Sequence, residues 1–272
     1  MIKPPALCEG DRIAVVAPAS PFDKEDFKRG LIELRSIGLE PVFSSSVFDR
    51  SEYVAGSASS RAEDFFAAWR DPTIAGLMAV RGGYGSAQLL PFFNITDFDK
   101  HHTAIASVRA GNIIGGGDWA EDRLIPDIFR GILVNEPVKI RNPNSIRPWQ
   151  FILDALHGYL LLIEKLWDDG PKYSGAWNFG SIEDAKTVSW ITKKLTELWH
   201  VNIDWEIEKK ENKHEANYLE LDCSKSSRML GWKPKMDLNM ALGWIVNWYK
   251  QYQQQNDIRS FTEKQIEKYE IL

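Results

Sequence analysis

The sequence has few cysteines and no excess of positive charge. The 2 cysteines, Cys8 and Cys223, lie far apart and form no Cys-x-x-Cys pair, so neither a disulfide framework nor a zinc finger is expected. The formal net charge of -5 offers no basic field to a phosphate backbone, which excludes nucleic acid as an expected partner. Adjacent side chains such as those of His101 and His102 diverge, so we predict no metal site.

Long apolar runs are missing as well. No segment approaches the ~18 consecutive apolar residues that a membrane-spanning helix needs. The first residues, Met-Ile-Lys-Pro-Pro-Ala-Leu, lack the apolar core of a secretion signal. We therefore expect a cytoplasmic protein with no membrane partner.

What the sequence does contain is an alternation of short apolar runs and helical patterns. Residues 13–17 are typical of a strand buried on both faces, and Asp23 precedes a helix that ends at Gly38 and carries on its apolar face Phe27, Leu31, Leu34 and Ile37. The same reasoning predicts further strands at 41–43, 76–80, 103–110 and 177–179 and further helices at 61–69, 86–93, 125–133, 155–167, 188–199 and 238–252. This alternation predicts an α/β fold with a Rossmann-like parallel sheet flanked by helices.

The pattern leaves one point open and makes one finer prediction. A strand at 103–110 beside the strand at 76–80 would make one sheet continue across the middle of the chain, whereas two separate lobes are the alternative. The helix at 155–167 should bury the residues that share one helical face, namely Leu156, Tyr159, Leu160, Ile163 and Leu166.

The first third of the chain resembles a peptidase family. Matching segments are Lys3-Pro-Pro-Ala-Leu, residues 10–20 (Gly-Asp-Arg-Ile-Ala-Val-Val-Ala-Pro-Ala-Ser) and residues 79–90 (Ala-Val-Arg-Gly-Gly-Tyr-Gly-Ser-Ala-Gln-Leu-Leu). On these motifs, residues 1–94 resemble the N-terminal part of the LD-carboxypeptidases, serine peptidases that trim murein peptides. The resemblance implies that the glycine turn 82–85 forms part of an oxyanion wall. A tight turn that needs glycine for steric reasons is the alternative interpretation.

The nucleophile of that family is absent. It lies in a Gly-aromatic-Ser-Asp motif on the next strand, where this chain reads Ala106-Ser107-Val108-Arg109. Ser20 is interpreted as a helix-entry residue rather than a nucleophile. No peptidase catalytic residue is therefore predicted.

The remainder of the chain resembles a different family. Matching segments are residues 103–119 (Thr-Ala-Ile-Ala-Ser-Val-Arg-Ala-Gly-Asn-Ile-Ile-Gly-Gly-Gly-Asp-Trp), 122–128 (Asp-Arg-Leu-Ile-Pro-Asp-Ile), 140–150 (Ile-Arg-Asn-Pro-Asn-Ser-Ile-Arg-Pro-Trp-Gln), His214-Glu-Ala and 230–234 (Leu-Gly-Trp-Lys-Pro). On these motifs, residues 95–272 resemble the C-terminal half of the CDP-glucose 4,6-dehydratases, of the extended short-chain dehydrogenase group. The resemblance implies a C-terminal mixed α/β region that binds a sugar nucleotide.

The resemblance also implies which residues bind this ligand. Asn112 and Arg147 are expected to face the pyrophosphate, and Arg141 and the segment 122–128, which includes Arg123, to line the nucleotide pocket, with His214 as a further substrate-binding residue. Arginine suits this task because its planar guanidinium forms two parallel bonds to a phosphate. The alternatives are surface ion pairs for the arginines and a loop-satisfying role for Asn112.

The dehydratase machinery itself is incomplete. None of the 8 tyrosines is followed by a lysine four residues later, so the Tyr-x-x-x-Lys base pair is missing. The N-terminal strand and glycine turn that bind NAD in the family are also missing, and residues 115–120 (Gly-Gly-Gly-Asp-Trp-Ala) match only a loose dinucleotide pattern. We therefore predict no NAD site, no metal and no catalytic residues.

Taken together, these features predict a chimera with boundaries at 1–94 and 95–272. The first functional hypothesis is a CDP-hexose-binding, dehydratase-like fragment that is catalytically incomplete. The alternatives are an LD-carboxypeptidase-like peptidase using an unrecognised serine and an inactive folded scaffold. A homodimer is also expected, because the related dehydratases pair through helices.

Overall fold

The computed structural model describes residues 6–93, 104, 106–121, 123–181, 185–201, 205–207 and 217–272. The chain divides into two compact units, Met1–Thr103 and Ala104–Leu272, here called unit 1 and unit 2. Within the described ranges, no helix combines the length and the apolar character that crossing a membrane requires.

Unit 1 contains a three-stranded parallel sheet. Strand β1 (Arg12–Val16) lies in the centre, with β2 (Glu40–Val42) on one side and β3 (Ile74–Ala79) on the other. Helix α1 (Lys24–Ser36) connects β1 to β2, and α2 (Ala58–Arg70) connects β2 to β3. The strands and helices predicted for these segments are confirmed, with boundaries that differ by a few residues.

Helix α1 begins and ends as its sequence predicts. Asp23 is the N-cap, and its Oδ1 accepts hydrogen bonds from the backbone amides of Glu25 at 2.7 Å and Asp26 at 3.1 Å. Gly38 has a φ of 87°, which glycine adopts without strain. Ile37, which we expected on the buried face, is 69% exposed because it follows the last helical turn.

Unit 1 also contains a buried arginine that the pattern did not reveal. Arg61 in α2 is 3% exposed, and its guanidinium donates to the backbone carbonyls of Pro18 at 2.6 Å and Gly85 at 2.7 Å and to Gln88 Oε1 at 2.6 Å. The segment after β1 and the segment that contains Gly85 and Gln88 are thereby both bonded to one side chain of α2. The segment after the glycine turn, predicted as an α-helix, forms the 3₁₀-helix Tyr84–Phe92, which contains Pro91.

The described residues of unit 2 form four short strand pairs. Strand β4 (Ala106–Ala110) pairs in parallel with β9 (Gly175–Phe179), β5 (Asn112–Ile114) with β8 (Trp149–Phe151), and β6 (Val138–Ile140) with β11 (Trp205–Ile207). Strand β7 (Ile146–Arg147) pairs antiparallel with β10 (Lys186–Thr187). The strand predicted at 103–110 is present over Ala106–Ala110, and its hydrogen-bonded partner is β9.

Helices cover these strands and bury two hydrophobic cores. They are α3 (Leu124–Val134), α4 (Ile152–Tyr173), α5 (Val188–Trp199), α6 (Ser224–Leu230), α7 (Leu238–Gln253) and α8 (Ile258–Ile271). One core holds residues of α3, α5 and α7, with the rings of Phe129 and Tyr249 stacked at 3.8 Å. The other core holds residues of α4 and β9 together with Trp232.

The buried face of α4 differs from our prediction. Leu160 and Ile163 are 66% and 60% exposed, whereas Ala155, Gly158 and Leu162 are buried. A Cβ at Gly158 would lie 2.4 Å from the ring of Phe179, so the helix approaches β9 through this glycine. Helical periodicity identified an apolar face, but the helix packs through the face that contains Gly158 and leaves Leu160 and Ile163 exposed.

A buried polar cluster joins α4 to the end of the chain. Asp154 is 1% exposed, and its Oδ1 accepts hydrogen bonds from the Tyr269 hydroxyl and from the backbone amide of Lys235, each at 2.7 Å. Burial raises the pKa of Asp154 above its ordinary value, although the hydrogen bonds from Tyr269 and Lys235 act in the opposite direction. His157 and the Lys235 ammonium group are the other titratable groups beside it.

The raised pKa of Asp154 predicts a specific pH dependence. The folded state holds the Asp154 proton more tightly than the unfolded chain, so this group stabilises the fold most below the ordinary carboxyl pKa of 3.8. That contribution is lost as the pH rises through the folded-state pKa. In urea unfolding at a series of pH values, the free energy of unfolding of wild type should therefore fall relative to that of Asp154→Asn as the pH rises above 3.8. A constant difference would contradict the assignment.

Candidate functional site

A cavity of about 620 Å³ in unit 2 brings together four of the five predicted substrate-binding residues. Asn112, Arg123, Arg141 and Arg147 all line it. Because they come from four different elements, their meeting follows from the fold and not from proximity in sequence. The volume lies within the ~300–1,000 Å³ range of small-molecule sites.

One wall of the cavity is formed by β5 and the start of α3. The Asn112 side chain makes no hydrogen bond to the described residues, although its backbone amide donates to the Pro148 carbonyl at 2.7 Å. Arg123 is the N-cap residue of α3 and provides no side-chain cap, so the first-turn amides are not capped from within. A helix N-terminus of this kind favours a bound anion.

The opposite wall is formed by the ends of β6 and β7. Arg147 is 9% exposed, and its Nη1 donates to the Ile146 carbonyl at 3.0 Å. Arg141 directly follows β6. Lys139 also lines the cavity and has no ion-pair partner in the described part of the chain, yet sequence reasoning missed it. Its alternation with buried Val138 and Ile140 is the signal that would have revealed it.

The charges of the cavity favour a dianion. Four cationic side chains line it, against the two carboxylates of Asp118 and Asp127. The Asp127 carboxylate forms an ion pair with Arg130. Ser145 also lines the cavity, is 3% exposed, and its Oγ has no hydrogen-bond partner among the described residues. An excess of cations with neutral polar groups between them suits a diphosphate ligand.

The glycine loop 115–117 does not fit a dinucleotide cofactor. A Cβ at Gly116 would lie 2.2 Å from Trp248 Cγ, so the loop is glycine-rich because it packs directly on the indole of α7. The Tyr249 hydroxyl then fixes the loop by donating to the Asp118 carbonyl at 2.6 Å. Helix α3 begins only at Leu124, so no helix N-terminus follows the glycines directly, as a dinucleotide fingerprint requires.

Some predicted residues lie outside the described part of the chain. His214 and Asp122 are among them, as are the adjacent histidines His101 and His102. The predicted roles of His214 and Asp122 in ligand binding stay predictions. The described residues contain no group of three or more His, Cys, Asp or Glu side chains that could hold a metal ion.

The glycine turn of unit 1 is explained by packing. Gly83 has a φ of 146°, and a Cβ there would lie 2.7 Å from Ser20 Oγ. A Cβ at Gly85 would lie 3.0 Å from the backbone of Ala19. These contacts support the tight-turn interpretation, and residues 6–93 contain no histidine that could activate Ser20.

Comparison with known sequences separates the chain into two similarities. A family model described as the LD-carboxypeptidase N-terminal domain matches residues 13–106. A putative carboxypeptidase of Streptomyces coelicolor is 42% identical over 114 residues, which are 41% of this chain and 36% of that protein. The CDP-glucose 4,6-dehydratase of Salmonella typhimurium is 48% identical over 179 residues, which are 65% of this chain and 50% of that enzyme. The chain thus spans between about a third and a half of these curated relatives.

Solved structures confirm the Rossmann-like α/β fold class. UDP-glucuronic acid 4-epimerase of Bacillus cereus, in complex with UDP-glucuronic acid and NAD, has a TM-score of 0.64 at 12% identity over 88% of this chain and 91% of that chain. The dTDP-glucose 4,6-dehydratase of Bacillus anthracis has a TM-score of 0.57 at 13% identity over 90% and 98% of the two chains. At such identities the likeness concerns the fold alone. The chain is a two-part chimera, similar at its N-terminal end to the LD-carboxypeptidases and over its larger remainder to CDP-glucose 4,6-dehydratase.

Proposed function

We propose that the cavity of unit 2 binds the nucleoside diphosphate moiety of a nucleotide sugar such as CDP-glucose, without dehydratase turnover. The observation that carries this proposal is the convergence of Asn112, Arg123, Arg141 and Arg147 on one cavity. Lys139 supports it, because it adds a cation without a partner in the described part of the structure. The similarity to a CDP-glucose 4,6-dehydratase supports the choice of ligand.

The proposal excludes turnover for a chemical reason. The chain lacks the Tyr-x-x-x-Lys pair that acts as base in the dehydratases, and its glycine loop is filled by Trp248. We propose that no NAD is held and that bound CDP-glucose is released unchanged. Mass spectrometry after incubation with CDP-glucose and NAD should show no loss of water from the sugar.

Arg147 is the residue whose removal should weaken nucleotide binding most. It is the most buried of the cavity cations, and a hydrogen bond to a charged group contributes about 1.5–3 kcal/mol. Arg147→Ala should therefore weaken CDP-glucose binding by about tenfold or more in isothermal titration calorimetry. The CDP-glucose affinity of Arg147→Lys should lie between those of wild type and Arg147→Ala, because lysine keeps the positive charge but lacks the planar guanidinium.

Arg259→Ala is the matched control for Arg147→Ala. Arg259 lies on α8, is 78% exposed and pairs with Glu263, so its loss should leave nucleotide affinity unchanged. Absence of heat with millimolar CDP-glucose in folded wild-type protein would refute the proposal. If wild type and Arg147→Ala bind CDP-glucose with equal affinity, the cavity is not the binding site.

We do not extend the proposal to peptidase chemistry, because the Gly-aromatic-Ser-Asp motif is absent and residues 6–93 contain no histidine. Incubation with a murein tetrapeptide tests this choice, since release of D-alanine would restore the alternative. A homodimer stays a prediction, which sedimentation velocity of the full chain tests.

A further inference from the structure

One carboxylate of the cavity is held in place near the cationic residues. Asp118 Oδ2 lies 3.2 Å from Arg123 Nη1, and Asp118 Oδ1 accepts the Ala120 amide at 3.0 Å. The Asp118 carbonyl accepts the hydroxyl of Tyr249, which is fully buried. Both ends of the residue are therefore fixed, and the carboxylate cannot swing away from an incoming ligand without breaking these bonds.

The second carboxylate of the cavity is in a different situation. Asp127 pairs with Arg130, and the Arg130 guanidinium also donates to the carbonyls of Trp119 at 2.8 Å and Ala120 at 3.1 Å. Arg130 does not line the cavity, so it balances Asp127 from outside. The counter-ion of Asp118, by contrast, is Arg123, a cavity residue that is itself available to a ligand.

A fixed negative charge at this place affects ligands of different charge unequally. The diphosphate of a sugar nucleotide is esterified at both ends and carries two negative charges. A free nucleoside diphosphate has a terminal phosphate whose second pKa is about 6, so it carries about one more negative charge at neutral pH. Repulsion from Asp118 grows with the negative charge of the ligand. It therefore weakens binding of the free nucleoside diphosphate more than binding of the esterified diphosphate.

We propose that Asp118 is a specificity-determining residue of the cavity, which favours an esterified diphosphate over a free nucleoside diphosphate by charge repulsion. This inference rests on the nucleotide-binding function proposed above. In this arrangement Asp118 partly neutralises Arg123. The main phosphate ligands are then the cations of the opposite wall, Lys139, Arg141 and Arg147.

Calorimetry with CDP and CDP-glucose at pH 7.5 tests the inference. Asp118→Asn keeps the acceptor for the Ala120 amide and removes only the charge. It should tighten binding of CDP by about threefold to tenfold and binding of CDP-glucose by a smaller factor. Asp118→Glu, which keeps the negative charge, should keep the wild-type preference for CDP-glucose over CDP.

Two further measurements separate this result from a general charge effect. Glu121→Gln removes one negative charge at an exposed position outside the cavity lining, and it should leave the CDP to CDP-glucose affinity ratio at its wild-type value. In wild type, lowering the pH to 5.5 protonates the terminal phosphate of CDP and should narrow the preference.

An unchanged affinity ratio in folded Asp118→Asn would overturn the inference, as would an equal shift in Glu121→Gln. If wild type binds neither ligand, the proposed function fails instead, so the two failures are distinguishable. Circular dichroism of each variant establishes that it is folded.

Discussion

Arg61→Ala is expected to lower the stability of unit 1 more than any exposed substitution in it. The guanidinium bonds two other segments, through the carbonyl of Pro18 and through the Gly85 carbonyl and Gln88 side chain of the 3₁₀-helix Tyr84–Phe92. Removing it leaves buried acceptors without donors, and each such group costs about 1–3 kcal/mol. We expect a total loss of about 3 kcal/mol or more, which lowers the melting temperature of a unit of this size by more than about 10 °C.

Thermal unfolding followed by circular dichroism measures this effect. Arg29→Ala is the matched control, because Arg29 lies on α1, is 76% exposed and forms an ion pair with Asp26 one turn away. It should melt close to wild type. If Arg61→Ala and Arg29→Ala melt at the same temperature, the assigned role of Arg61 is wrong.

Asp154→Ala is expected to have the largest effect in unit 2. The Tyr269 hydroxyl and the Lys235 amide both donate to Asp154 Oδ1, so the substitution removes the acceptor of two hydrogen bonds. The expected loss is about 3 kcal/mol, or about 6–12 °C in melting temperature for a unit of this length.

The variants Asp154→Asn and Tyr269→Phe provide the comparison. Asparagine keeps an oxygen acceptor of the same geometry and should lose less stability than alanine. Tyr269→Phe removes one of the two donors, so its free energy of unfolding should lie between those of Asp154→Asn and Asp154→Ala. Equal stability of all three variants in urea unfolding would show that these hydrogen bonds do not hold α8.

Sequence reasoning identified the regular elements of unit 1 because their signals are local. Asp23 as N-cap, Gly38 after the helix and the apolar run of β1 each act within a few residues. The burial of Arg61 was not predictable, because the two acceptors of its Nη1 lie 24 and 43 residues away along the chain. Composition alone makes an arginine an exposed residue.

The candidate site was predictable only through resemblance. Nothing in the local pattern around Asn112, Arg141 or Arg147 distinguishes a ligand-binding residue from a surface residue, and the matching dehydratase motifs made that distinction. The structure places these residues on one cavity and adds Lys139 and Ser145. The alternation of Lys139 with buried Val138 and Ile140 is a local signal, whereas Ser145 lies outside the strands and has none.

The buried face of α4 also could not be predicted from its own sequence. Its periodic apolar residues gave a clear pattern, but the helix packs through Gly158, which carries no hydrophobic signal. Close approach of Phe179 decides the orientation, and such an approach is a property of two elements together. A single helix sequence does not contain it.

The anchoring of the glycine loop on Trp248 has a consequence for the kinetics of binding. Because Tyr249 holds Asp118 and Arg130 holds Trp119 and Ala120, the loop keeps one conformation before any ligand arrives. A preorganised wall loses little conformational entropy on association, so encounter should need no slow rearrangement. In hydrogen–deuterium exchange, the Ala120 amide, which donates to Asp118 Oδ1, should be protected in the free protein, with little further protection after nucleotide is added.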